Sequence, residues 1–191
     1  MRYDYIISGA GCAGMTLLMR MIDSGKFADK KIMVVDRDLK PRNDRTWCFW
    51  EKENGLFEPI VFRQWSDLSF FGENFESLLN IEPYRYKMIR GRDFYEHCFA
   101  TIKNNSNVHL KEGSIESLQP VKKGVFIKVD GNHYEGEYVF NSILFNVPQP
   151  VKNQYYFLKQ HFKGWVIKTE RPAFDPSKAT LMDFRPSQEH G

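Results

Sequence analysis

Six residues, Gly9-Ala10-Gly11-Cys12-Ala13-Gly14, constrain this chain more than any others because of what flanks them. Upstream, Tyr3–Ser8 (YDYIIS) is a short strand-like run. Downstream, Met15, Leu18, Met19 and Ile22 fall at the i, i+3, i+4, i+7 spacing of an amphipathic helix over Cys12–Ser24, which Gly25 closes. Lys31–Val35 is a second apolar run leading into Asp36, an acid 22 residues beyond Gly14. A strand, a G-x-G-x-x-G turn opening a helix, and a second strand ending on an acid are the setting in which this pattern holds a dinucleotide. Gly9 permits the tight turn, Gly11 lets the backbone approach a pyrophosphate, and Gly14 lets the helix lie close on the strand. The helix N-terminus offers unpaired N–H groups to the phosphates. Asp36 would accept hydrogen bonds from ribose hydroxyls. A glycine turn that binds nothing is the plainer alternative.

The layout beyond Asp36 bears on which dinucleotide is meant. A fold that uses the motif for NAD usually continues with further β-α units in quick succession. Here a long aromatic-rich segment intervenes before the next helical pattern, Arg92–Asn104, and that arrangement favours FAD. A polar stretch with Pro41 reads as a loop over Asp38–Asn43. Val108–Leu110, Gly113–Leu118, Gly124–Asp130 and His133–Phe145 alternate and are punctuated by Gly and Asn, as one more sheet strand and a small antiparallel meander would be. Tyr155–Lys168 and Thr180–Phe184 read as two further strands. The expected fold is α/β: a Rossmann-like FAD-binding domain (1–60 and 88–148) with an inserted, mostly antiparallel β-sheet substrate domain (61–87 and 149–191). LMDF runs into a turn at RPSQEHG, so a chain truncated at its C-terminus is expected.

Composition excludes more than it selects. The 191 residues are 42% hydrophobic and 27% charged, which removes disordered and collagen-like classes. No run approaches the ~18 apolar residues of a spanning helix. A net charge of +3, from 27 basic and 24 acidic residues, gives no reason to expect a nucleic-acid partner. Cys12, Cys48 and Cys98 lack C-x-x-C spacing and read as reduced thiols, and the five histidines are scattered, so no metal site is expected.

Asn43–Glu51 (NDRTWCFWE), lying shortly after the acid of the second strand, closely resembles the signature of the lycopene cyclases, flavoproteins of carotenoid synthesis. Met88–Phe99 (MIRGRDFYEHCF), Leu158–Pro176 (LKQHFKGWVIKTERPAFDP) and Leu181–Arg185 (LMDFR) fit the same family in the same order. The likeness covers nearly the whole chain. Its DRTWCFW and QHFKGW…LMDFR blocks are far more specific than the glycine loop.

The resemblance implies an enzyme of the lycopene β-cyclase kind, an intramolecular lyase or isomerase without net redox change. Such an enzyme protonates the linear ψ-end of lycopene, lets the carbocation close a six-membered ring, and removes a proton to leave a β-ring. It requires reduced FAD, with NAD(P)H as the electron source. It also implies lycopene or a related linear carotenoid as partner, and a cytoplasmic protein lying peripherally at the inner face of the cell membrane. Residue by residue, Gly9, Gly11, Gly14 and Asp36 match the flavin motif. Arg45 and Trp47 match the DRTW block, Arg45 as a cofactor contact and Trp47 as a substrate contact. Asp183 and Arg185 match the M-D-F/W-R block, with Asp183 the catalytic candidate for acid/base or cation-stabilising work and Arg185 a substrate contact. The family's best-known acid is a glutamate in a block beyond that one, so the expectation is an N-terminal portion lacking its own proton donor.

Two departures from the family pattern matter. Leu18 replaces a small residue in the first helix, and Asn141 stands where the family often has Asp. Other readings of the same residues remain open. Trp47, Phe49 and Trp50 read as buried core or an interface patch, and Asp183 with Arg185 as a structural ion pair. The function could be that of an FAD-dependent monooxygenase or oxidoreductase of the same fold, or of a non-catalytic nucleotide-binding fragment. Lys163 and Lys168 with Phe162 and Trp165 read either as a membrane-surface contact or as a solvated strand edge.

Overall fold

The computed structural model describes residues 1–39, 43, 45–146 and 163–187. In chain order the elements are β1 (Arg2–Ser8), α1 (Cys12–Asp23), β2 (Ile32–Asp36), β3 (Thr46–Glu51), a 3-10 turn (Glu58–Ile60), β4 (Arg63–Trp65), β5 (Asp67–Gly72) and β6 (Phe75–Asn80). They continue with β7 (Arg85–Arg90), α2 (Gly91–Lys103), β8 (Val108–Glu112), β9 (Ile115–Val121), β10 (Gly124–Val129), β11 (Asn132–Asn141) and β12 (Ala179–Asp183).

Ile32-Met33-Val34-Val35 is apolar at every position because β2 lies inside a six-stranded sheet covered on both faces. The strand order is β8-β2-β1-β11-β10-β9, with β8, β2, β1 and β11 parallel and β9, β10 and β11 an antiparallel meander. On one face Ile7, Ile32 and Val34 pack with Met15, Leu18 and Met19 of α1 and with Phe94, Cys98 and Ile102 of α2. On the other, Ile6, Met33 and Val35 meet Ile127 and Val129 of β10, so the meander fills the place a second helical layer takes in other α/β folds. Leu18 is fully buried in the first cluster. The β10–β11 hairpin turns at Asp130-Gly131, both at positive φ (45° and 76°), the backbone a two-residue hairpin of right-handed twist requires.

The chain divides into two units, residues 1–66 with 82–143, and residues 67–81 with 144–191. The boundaries fall a few residues from those expected. Arg85–Arg90 pairs antiparallel with both Thr46–Glu51 and Arg63–Trp65, forming the sheet β3-β7-β4, and that pairing keeps residues 61–66 and 82–87 in the first unit. In the second unit β5 and β6 form a hairpin, and β12 joins β5 in parallel, giving the order β12-β5-β6.

Expected and observed elements differ mainly here. The run from Arg63 to Asn80 holds three strands that its weakly alternating sequence does not announce. The strand expected over Tyr155–Lys168 lies outside the described residues up to 162, and 163–168 forms no regular element. Among the described residues no helix is long and apolar enough to cross a membrane.

Candidate functional site

The glycine loop is the best-formed site in the first unit, and three separate constraints build it. Gly9 has φ +107°, and its N–H donates to Val35 O at 2.8 Å; a Cβ there would run into Ser142 Oγ. Ser142 is itself fixed, since its Oγ and N–H donate to Ser8 O at 2.7 and 3.0 Å. A Cβ on Gly14 would meet the Gly9 carbonyl oxygen and lie 3.0 Å from Ile7 Cγ2, so only glycine lets α1 sit this close to β1. Gly11 is different: its backbone (φ −72°, ψ −176°) suits any residue, and no protein atom lies within 4 Å of where its Cβ would be. Protein packing therefore makes no demand for glycine at position 11. The open space suits a group that approaches the backbone from outside.

The electrostatics agree. Gly11 caps α1 without a side-chain hydrogen bond, and no acid stands in the first turn. The first N–H groups of the helix thus keep their positive partial charge for an anion. Asp36, at the end of β2, is drawn to the loop by accepting the Ala10 N–H on Oδ2 at 2.7 Å, while Oδ1 accepts the Asp38 N–H at 3.2 Å. Each carboxylate oxygen has a second lone pair for an incoming hydroxyl. The donor set, the open cradle at Gly11 and the anchored acid fit a dinucleotide's pyrophosphate and ribose. Cys12 opens the helix, and burial followed by a weaker hydrogen bond from Thr16 leaves its thiol above its usual pKa, hence neutral beside the phosphate position. Sequence reasoning missed Ser142 as part of this loop. The signal was the block Val139–Ile143, whose Asn141 closes the strand locally by accepting the Ile143 N–H at 3.0 Å and donating to Ile143 O at 2.9 Å.

The remaining candidates fall elsewhere. Arg45 precedes β3; its carbonyl accepts the Gly91 N–H at 2.9 Å, tying that end of β3 to the start of α2, and its side chain is exposed. Trp47 points inward: it stands opposite Ile89, its ring meeting Phe94 edge-on at 5.0 Å and Tyr95 at 5.9 Å. Asp183 and Arg185 lie in the second unit and hold one another, Nε to Oδ1 at 2.8 Å and Nη2 to Oδ2 at 2.6 Å. Arg185 also stacks on Phe71 at 3.8 Å. The Arg185 hydrogen bonds hold the exposed Asp183 carboxyl below its ordinary pKa. An apolar pocket that keeps this acid protonated, one expectation for position 183, is not what surrounds it; the pair is an anion with its counter-ion.

One feature had no sequence signal at all. Lys87, in the middle of β7, is 1% exposed, and its Nζ donates to Glu51 Oε2 at 3.0 Å, Glu53 O at 3.0 Å and Glu58 Oε2 at 2.5 Å. Burial alone would lower its pKa, but the bonds to Glu58 and Glu51 outweigh that and raise it.

The architecture is the Rossmann-like fold of FAD-dependent monooxygenases. A probable FAD-dependent monooxygenase of Pseudomonas aeruginosa, PqsL, superposes with a TM-score of 0.58 at 14% identity, over 73% of this chain and 42% of its own. The p-nitrophenol 4-monooxygenase PnpA of Pseudomonas putida gives 0.58 at 12%, over 72% and 40%. The anhydrotetracycline hydroxylase OxyS of Streptomyces rimosus gives 0.57 at 17%, over 73% and 31%. The chain thus spans about two fifths of the length of the first two. The sequence model of the lycopene cyclase protein family matches residues 4–191, and the chain belongs to that family. A search of curated proteins gives no match.

Proposed function

We propose that the protein acts as a flavin-dependent lycopene β-cyclase, converting linear ψ-ends to β-rings without net redox change. The observation that carries the reading is the family match over residues 4–191, joined to a glycine loop whose Gly11 cradle and Asp36 anchor suit a dinucleotide. Gly9, Gly11, Gly14 and the first turn of α1 would take the pyrophosphate of FAD, Asp36 the ribose, and Arg45 a further contact. Held reduced, with NAD(P)H as electron source, the flavin would supply an electron-rich surface for a cationic intermediate. Asp183 and Arg185, the ion pair that matches the family's M-D-F/W-R block, are the candidates for acid/base or cation-stabilising work and for a substrate contact. A proton enters the terminal double bond, the ring closes on the resulting cation, and a proton leaves, so substrate and product have equal mass.

Lycopene dissolves only in lipid, and on this reading the protein meets a membrane surface, which we place on the cytoplasmic side. Residues 163–168 (KGWVIK) suit that contact: Trp165 and Ile167 are 76% and 64% exposed, with Lys163 over the Trp165 ring at 5.0 Å. Interfacial segments combine aromatic and basic residues in this way.

The test is anaerobic incubation with reduced FAD and lycopene in liposomes, following product mass and visible absorption. Unchanged mass with blue-shifted absorption supports the cyclase. Conversion only with oxygen, with NAD(P)H consumed in stoichiometry and mass gained, would replace it with a monooxygenase. Loss of flavin on gel filtration without any conversion would leave a nucleotide-binding fragment.

A further inference from the structure

Strand alternation divides the DRTWCFW block between two faces of the sheet β3-β7-β4. Trp47 and Phe49 face the core, whereas Cys48 and Trp50 stand on the opposite face. Directly across from Trp50 is Tyr86, and across from Tyr86 on the other side is Trp65. The three rings form a continuous row: Trp50 to Tyr86 is 4.8 Å between centroids at 44°, and Trp65 to Tyr86 is 6.3 Å at 38°. Trp50 is 48% exposed, a large apolar surface for a residue whose neighbours on the strand are anchored. Among the described residues, the side chains that the three strands place on this face include no carboxylate, and at its end Asp93 of α2 accepts from Arg90 Nε at 2.6 Å. The charge of the face is confined to that end, where Arg63 and Arg90 already lie over the Phe62 ring at 5.3 and 4.1 Å.

We infer that Trp50, Tyr86 and Trp65 form the wall against which the end group of a linear polyene folds and its cation is held. The inference rests on the cyclase reading above and assigns to this row the contact expected of Trp47. The occupant follows from the chemistry of the surface. The faces of these rings accept a hydrocarbon, and ring quadrupoles attract the positive charge that the hydrocarbon acquires. An anionic ligand would gain nothing from them. Burial, and then its hydrogen bond with the Cys48 thiol, hold the Tyr86 phenol above its ordinary pKa. The phenol therefore stays neutral and is a poor trap for a carbocation.

The experiment uses the full-length protein with FAD bound, reduced, and lycopene in vesicles. Trp50→Leu keeps apolar bulk and removes the ring; Trp50→Phe keeps a ring. Trp50→Leu is expected to lower kcat about tenfold with KM within about twofold and flavin content unchanged, while Trp50→Phe stays within about threefold of wild type. Tyr86→Leu should behave like Trp50→Leu, whereas Trp47→Leu should lower the melting temperature. Wild-type kcat in both leucine variants overturns the assignment. So does a change confined to KM, which would make the face a docking surface for lipid or for a second copy. If the wild-type protein retains flavin but does not cyclise lycopene, the cyclase reading itself fails, and this occupant with it.

Discussion

Lys87 is one of the largest side chains fully buried among the described residues, and it shows how differently the members of one ion cluster can weigh on stability. Glu51 and Glu58 keep 29% and 26% of their side chains exposed, so they can rehydrate when the lysine is removed. The ammonium cannot. Lys87→Met is expected to cost about 1–3 kcal/mol, and the double change Glu51→Gln, Glu58→Gln about 3–5 kcal/mol, because it leaves a buried charge unpaired. Urea midpoints of the two variants check the order. The folded-state pKa of Lys87 lies above its ordinary 10.5, so its stabilising contribution is intact below that pH and is lost as pH rises through the folded value. An alkaline titration of unfolding should therefore be steeper in wild type than in Lys87→Met.

Asp183 has the opposite sign: its pKa is depressed below 3.8, so the pair with Arg185 persists above that pH and is lost as pH falls through the folded value. The carboxylate is ionised throughout the neutral range. Asp183→Asn is expected to lower cyclisation at every pH between about 5 and 9 by a similar factor, without loss of flavin. Unchanged turnover would remove Asp183 from the mechanism, and a shifted acid limb would make it a proton donor after all.

At the scale of elements, the loop between β1 and α1 separates two uses of glycine. Gly14 is required by the protein, since a Cβ would meet the Gly9 carbonyl; Gly11 is not, since its Cβ would have open space. Gly14→Val should destabilise the fold by more than about 2 kcal/mol, whereas Gly11→Val should cost no more than about 1 kcal/mol yet abolish flavin retention on gel filtration. Normal flavin content in Gly11→Val would overturn the assignment of the loop to FAD. Much of this element pattern was legible in the chain. The apolar spacing from Met15 to Ile22 marks α1, the unbroken run Ile32–Val35 marks a strand buried on both faces, and Asp130-Gly131 marks a hairpin. The strands β4, β5 and β6 were not legible. They are short, and one of them, Phe75–Asn80, is largely exposed on both faces, so no period-two signal develops.

At the scale of the molecule, the first unit carries the glycine loop and the aromatic row, and the second carries Asp183, Arg185 and the exposed segment 163–168. If that segment meets lipid, wild-type protein should co-sediment with anionic vesicles and be released by salt. Trp165→Ala should weaken the binding through lost apolar contact, and Lys163→Glu with Lys168→Glu through lost attraction, the latter about 1 kcal/mol per lysine. Equal sedimentation of all three proteins would place the membrane contact elsewhere.

What the sequence by itself determined was local. Within 36 consecutive residues, a strand, a glycine turn, a helix and an acid fix the β-α-β unit, because each signal is read from neighbours a few positions apart. The family likeness of DRTWCFW and LMDFR was legible for the same reason. The tertiary structure alone decided which aromatics of that block turn inward, where Ser142 meets Gly9, and that Lys87 is buried on Glu51 and Glu58. Those outcomes depend on strand partners, as in the pairing of Trp50 with Tyr86 and the bond from Lys87 to Glu51, 36 positions away. No local pattern encodes a partner so distant, and burial assigns the faces only once the strands have paired.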